Sequence, residues 1–240
     1  MTKSVGIDGC KSGWFFFQKA GEEITFGVEE SISNLFDSLP DNSKVCIDIP
    51  IGLIDQGSAG RVCDVEVRKL LGRAKASSVF PAPCRSVLLA RNYEEAKALS
   101  VQAIGKKLSK QAFAITPKIR EVDEFLRNSG RKVSIREVHP EVCFWALNGR
   151  RALATKKKKS DGFEQRLALL ERVFPNARDM VSEALDDYPR KSVARDDVLD
   201  ALVALVVACA PDEALQTVPT SPVADSEGLP IEIVFTEPKH

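Results

Sequence analysis

The sequence predicts an α/β protein built on a mixed sheet, in which an antiparallel three-strand meander is joined to parallel strands and flanked by helices. Three observations lead there. Short apolar runs at residues 4–8, 13–18 and 23–28 are separated by glycine-containing and charged turns, the pattern of consecutive antiparallel strands. Residues 45–49 are apolar except for Asp48, as in a strand buried on both faces. Residues 193–210 form a stretch that is apolar almost all the way round a helix, and such a helix is a buried one.

Taken in order, the meander turns at residues 9–12 and 19–22, and a helix at about 31–38 leads to the strand at 45–49. A strand reached from its neighbour through a helix runs parallel to it, so the opening reads βββαβ. From residue 50 to about 134 the pattern is less regular, with helices expected at 61–71 and 94–108 around a Ser/Pro loop at 77–83. A further helix is expected to start at Thr116, with Thr116 as its N-cap, Pro117 at the first helical position and Ile119, Val122 and Leu126 at core spacing. Residues of about 51–132 are therefore read as a helical and loop insertion, or lid, within one domain spanning 1–240. A strand at 133–138 follows, then helices at 140–147 and 163–174, and the buried helix at 193–210. The tail from Pro211 reads as loop with a final edge strand at 231–235.

Lysines plus arginines and aspartates plus glutamates number 34 each, which excludes the global basic excess of a non-specific nucleic-acid binder. Any phosphate-binding surface must be local. The six cysteines are scattered without a CxxC pair in a chain too long to need disulfide staples, so reduced thiols in a cytoplasm are expected. No apolar stretch reaches the roughly 18 residues of a membrane span, and the first residues lack the features of a signal peptide. The expectation is a soluble cytoplasmic protein with no membrane partner.

Acidic residues close several apolar runs. Asp8 ends the first run on the turn of Gly9, and Asp48 ends another just before Pro50. A desolvated carboxylate needs cations or hydrogen-bond donors. By itself Asp8 fits two roles, a turn carboxylate on the amides of Gly9 to Ser12 or a metal ligand. Glu137 and Glu141 flank His139 where a strand passes into a helix, and Asp197 and Asp200 share a face at the start of the buried helix. Below them Ala201, Ala204 and Ala208 would let that helix lie close to the sheet. Hard oxygen ligands from separate elements suit Mg²⁺ or Mn²⁺ rather than zinc. Two such ions about 4 Å apart can activate water and stabilise a leaving oxygen in phosphodiester hydrolysis.

The motifs Gly6-Ile7-Asp8-Gly9-Cys10-Lys11-Ser12-Gly13-Trp14, Ile47-Asp48-Ile49-Pro50-Ile51-Gly52, Ser78-Val79-Phe80-Pro81, Glu137-Val138-His139-Pro140-Glu141 and Asp196-Asp197-x-x-Asp200-Ala201 resemble a domain-of-unknown-function family of predicted RNase H-like nucleases. The helix motif is also similar to that of Holliday-junction resolvases. The resemblance implies an RNase H-like fold and a metal-dependent nuclease acting on nucleic acid or a nucleotide. Its catalytic set would be Asp8, Asp48, Glu137 and Asp200, and its metal ligands those four with Asp197 and Glu141, holding two Mg²⁺ or Mn²⁺ ions.

Basic residues supply candidate substrate contacts: Lys11 in the hairpin, Arg61, Arg68 and Arg85 around the Ser/Pro loop, and Lys157 within the run Lys156-Lys157-Lys158-Lys159. Such a run also fits a plain solvated face. Asp196 reads as a helix-terminus charge, and His139 with Cys143 as a structural pair rather than half of a zinc site. Two rival readings share the fold. One is a nucleotide-binding ATPase or kinase-like protein with Lys11 near a phosphate, although no internal repeat supplies its second domain. The other is a non-catalytic binding module. The residues do not decide between DNA, RNA and hybrid, or between monomer and homodimer.

Overall fold

The computed structural model describes residues 2–57, 60–130 and 134–238. Its chain divides into two compact units. The first takes residues 1–49, 131–216 and 234–240, and the second takes 50–130 and 217–233.

The first unit contains a mixed sheet of five strands. β1 (Ser4–Cys10), β2 (Gly13–Ala20) and β3 (Glu23–Glu29) form the antiparallel meander, and α1 (Ile32–Asp37) leads to β4 (Lys44–Ile47). β4 pairs parallel with β1 and with β5 (Ser134–Glu137), giving the order β3-β2-β1-β4-β5. Ser31 caps α1 by accepting from the Asn34 amide at 3.2 Å. After β5 come α5 (Pro140–Leu147), α6 (Ser160–Glu171), α7 (Ala177–Asp187) and α8 (Arg195–Ala208); α2, α3 and α4 belong to the second unit. Every α8 residue from Val198 to Ala208 is buried, as its apolar composition requires.

Gly6 explains how closely α8 lies on β1. A Cβ on Gly6 would stand 2.0 Å from the Leu205 nitrogen and 2.3 Å from the Ala201 oxygen, so only glycine admits the helix. Side chains two apart in a strand share a face, which turns Asp8 toward α8 as well. Phe15, paired with Asp8, and Phe17, paired with Gly6, line that face. Their rings pack edge-on 5.4 Å apart, and Phe15 meets Tyr188 at 5.9 Å. Asp8 therefore sits in an apolar layer beneath a helix.

The second unit contains α2 (Val62–Lys75), α3 (Tyr93–Ile104) and α4 (Lys110–Asn128). β6 (Leu215–Ala224) and β7 (Pro230–Thr236), which pair as a two-stranded sheet, supply it with residues 217–233. Among the described residues no helix is long and apolar enough to cross a membrane.

Three sequence expectations change. α4 begins at Lys110, where Ser109 accepts from the Ala112 amide at 3.0 Å, so Thr116 is no cap. Pro117 lies inside the helix, and the Thr116 hydroxyl donates to the Ala112 carbonyl at 3.0 Å. α7 was not expected, although Met180, Val181 and Ala184 are buried at helical spacing. β6 was expected to be loop, because Pro219 and Pro222 read against a strand interior and are tolerated in an edge ladder. The stretch expected as an insertion is joined in its unit by residues 217–233. Val133, the expected start of β5, and residue 132, the expected end of the insertion, lie outside the described residues.

Candidate metal centre

The register of the parallel strands brings two aspartates together. Ile7 pairs with Ile47, and the Asp48 amide donates to the Ile7 carbonyl at 3.0 Å, so Asp48 comes level with Asp8 at the carboxyl ends of adjacent strands. Asp200, in the second turn of α8, approaches from above. One carboxylate oxygen from each of Asp8, Asp48 and Asp200 lies within 4.8 Å of the others. Asp8 is 8% exposed and Asp200 1%, whereas Asp48 is half-buried.

Hydrogen bonding leaves most of this charge unanswered. Oδ1 of Asp8 accepts from the Gly9 amide at 2.7 Å, so the turn role and the cluster role coincide in one side chain. Among the described residues Lys157 is the cation at the site: its Nζ stands 2.6 Å from Oδ2 of Asp200 and 3.4 Å from Oδ2 of Asp196. Two unit charges about 4 Å apart repel by about 4 kcal/mol at an effective dielectric constant of about 20. The proton affinity of the carboxyl groups rises in response. Burial first, then the charges of Asp48, Asp200 and Asp197, push Asp8 well above the usual carboxylate range. Asp48 is pushed well above it by burial and then Asp200, with Lys157 pulling the other way. Asp200 is raised by burial despite Lys157. For Lys157 burial favours the neutral amine, but Asp200 and Asp8 outweigh it and raise its pKa.

The other expected ligands stand differently. Glu137 pairs with Ile47, one residue before the position level with Asp48, and strand alternation directs it to the opposite face. It is buried, and its charge still reaches Asp48, but it is outside the converging group. Glu141 accepts from the fully buried Arg166 guanidinium at 2.6 Å, which occupies one of its oxygens within the protein. Asp197 accepts from the Ala194 amide at 2.8 Å and so caps α8; burial raises it to about 6. Asp196, read as a terminus charge, lies in the first turn of α8 and also reaches Lys157 at 3.4 Å. His139 does not join the converging group, and the Cys143 thiol is pushed well above its usual value by burial, then by Cys46 and Asp48.

The expected substrate contacts also separate. Lys11 is exposed at the β1–β2 turn. Arg61 is buried, donating to Asp64 at 2.7 Å and to the Ile51 carbonyl at 3.0 Å. Arg85 donates to Asp123 at 2.6 Å and pairs with Asp225, and Arg68 donates to the Val79 carbonyl at 2.7 Å. Arg61 and Arg85 are thus committed inside the second unit rather than presented on a basic surface, because each answers a buried carboxylate. Sequence reasoning missed Arg166 and Gly162. An arginine gives no sign of burial by its type, whereas a glycine in the first turn of a helix is a signal of close backbone approach.

The chain belongs to the family described as protein of unknown function (DUF429), whose model matches residues 6–224. No curated protein and no solved structure matches it.

Proposed function

We propose that this DUF429 protein is a divalent-metal-dependent hydrolase of phosphodiester bonds, with Asp8, Asp48 and Asp200 as ligands of Mg²⁺ or Mn²⁺. The observation that carries the reading is the convergence of three buried or half-buried carboxylate oxygens within 4.8 Å. The donor set fits the ion: the ligands are hard oxygens from β1, from the residue just after β4 and from α8, and among the described residues no imidazole or thiolate joins them. When bound, the ion supplies Lewis acidity to a phosphate and to the attacking water.

The protein residues do the rest. The Gly9 amide fixes the Asp8 carboxylate, and the close seat of α8 on Gly6 fixes Asp200 over the strand ends. The apolar layer around Asp8 keeps bulk water from screening the site. Lys157, partly exposed and charged, can meet an anionic substrate. The meander followed by parallel β4 and β5 is the arrangement expected of an RNase H-like fold, which supports nucleic acid as the substrate class. Fold alone does not fix activity.

The test is direct. Purified protein with Mn²⁺ is offered branched DNA, single-stranded RNA and a DNA–RNA hybrid. Wild type is expected to cleave at least one, and Asp8→Asn none; an equal absence of cleavage in both overturns the reading.

A further inference from the structure

Of four consecutive lysines, Lys156, Lys158 and Lys159 are exposed, and only Lys157 turns inward. Its placement is built into the backbone. Gly162, in the first turn of α6, lies so close to the loop that a Cβ there would stand 2.1 Å from the Lys156 oxygen and 3.3 Å from the Lys157 nitrogen. The Lys159 amide donates to the Lys156 carbonyl at 2.9 Å, and the Phe163 amide to the Lys159 carbonyl at 2.9 Å. The loop is thereby clamped on α6, and the Lys157 ammonium is delivered to Asp200 and Asp196 at 2.6 and 3.4 Å.

We infer that Lys157 is the second cation of this site, so that one divalent ion works beside an ammonium rather than two ions together. The inference rests on the reading of Asp8, Asp48 and Asp200 as ligands of a divalent ion. Lys157 already answers the α8 side of the cluster, leaving Asp8 and Asp48 with Asp200's remaining oxygen for the ion. The three converging carboxylates then face one ammonium and one divalent ion, with Asp196 a further carboxylate on the ammonium. A second divalent ion on Asp200 would have to displace the ammonium or stand beside it, where like charges a few ångströms apart repel strongly. During phosphodiester cleavage the ammonium supplies, at the leaving oxygen, the positive charge that the second ion of a two-ion site would supply. Substrate recognition and charge stabilisation then share one side chain.

Counting Mn²⁺ ions bound to the full chain, by calorimetry and by electron paramagnetic resonance of free Mn²⁺, tests this without an activity assay. Wild type is expected to bind one ion, Lys157→Arg one, and Lys157→Met two, the second more weakly. Two ions in wild type, or one in Lys157→Met, overturns the inference while leaving the three-aspartate reading intact. If wild type binds none and matches Asp48→Asn, the three-aspartate reading fails with it. Lys157 is partly exposed, so its variants are expected to fold, and unchanged circular dichroism verifies that.

Discussion

The buried acids of the second unit and the carboxylate cluster of the first are answered in opposite ways, while Glu141 of the first unit, met by Arg166 at 2.6 Å, follows the pattern of the second. In the second, Asp64 is met by the Arg61 guanidinium at 2.7 Å and by the Ala82 amide at 3.1 Å. Asp123 and Asp225 are both met by Arg85, and Asp123 also by Arg127 at 2.9 Å. In the first unit, Asp8, Asp48 and Asp200 share one partly exposed lysine. The titration behaviour divides accordingly. Burial alone would raise Asp64, but the Arg61 charge and hydrogen bond, the Ala82 amide and Arg68 hold it below its usual value. At the cluster burial and like charge act together, and all three groups are raised. A carboxylate paired with arginine stabilises its surroundings; three that converge with too little positive charge store repulsion that an ion can relieve. That difference separates structural from functional acid more sharply than burial does.

The largest expected effect lies in the second unit. Arg61→Met leaves Asp64 buried without its partner and is expected to cost about 3–5 kcal/mol, read from the denaturant midpoint; a loss below about 1 kcal/mol would remove the contrast. Next comes the ion. Mn²⁺ at about 100 times its dissociation constant is expected to stabilise wild type by about 2.7 kcal/mol, and Asp48→Asn is expected to show no shift in thermal midpoint. A smaller effect has the opposite sign. Asn carries no charge into a place where burial and the neighbouring aspartates disfavour one, so Asp8→Asn is expected to stabilise the ion-free protein by about 1 kcal/mol, the trade expected at a functional site, while abolishing cleavage.

The pH dependence is the finest test. Asp197 lies at about 6 in the folded chain against its usual 3.8, so the native state holds more protons between those values and stability falls as pH rises from about 4 to 6. Asp64 is lowered, so its contribution is present above its usual value of 3.8 and is lost as pH falls below about 4. Denaturant midpoints measured from pH 3 to 7 are expected to fall less between 4 and 6 in Asp197→Asn than in wild type. An identical slope would show that Asp197 contributes nothing there.

Most elements of the first unit were legible because their signals are local. The meander, the Pro140–Leu147 helix and the all-apolar α8 each declare themselves by periodicity or by a proline at a helix start. α7 escaped because its apolar positions are few among charges, and β6 because proline masks an edge strand. Within the site, Asp8 and Asp48 were nameable from apolar runs that end in carboxylates, and Asp200 from the face it shares with Asp197 at the start of the buried helix. Glu137 was nameable on the same ground, yet the pairing of Ile47 with Glu137 rather than with Val138 sends it to the other face. No local pattern reports the register between strands as far apart in the chain as β4 and β5.

From residue pattern alone came the carboxylates that end the strands and the burial of α8. Which charges meet, and where Gly6 and Gly162 let backbones touch, followed from packing. Electrostatic partnership depends on distances of a few ångströms between residues far apart in the chain, such as Lys157 and Asp200 or Arg85 and Asp225. Those distances are set by strand register and helix packing, not by anything a carboxylate or an ammonium carries in its own local sequence.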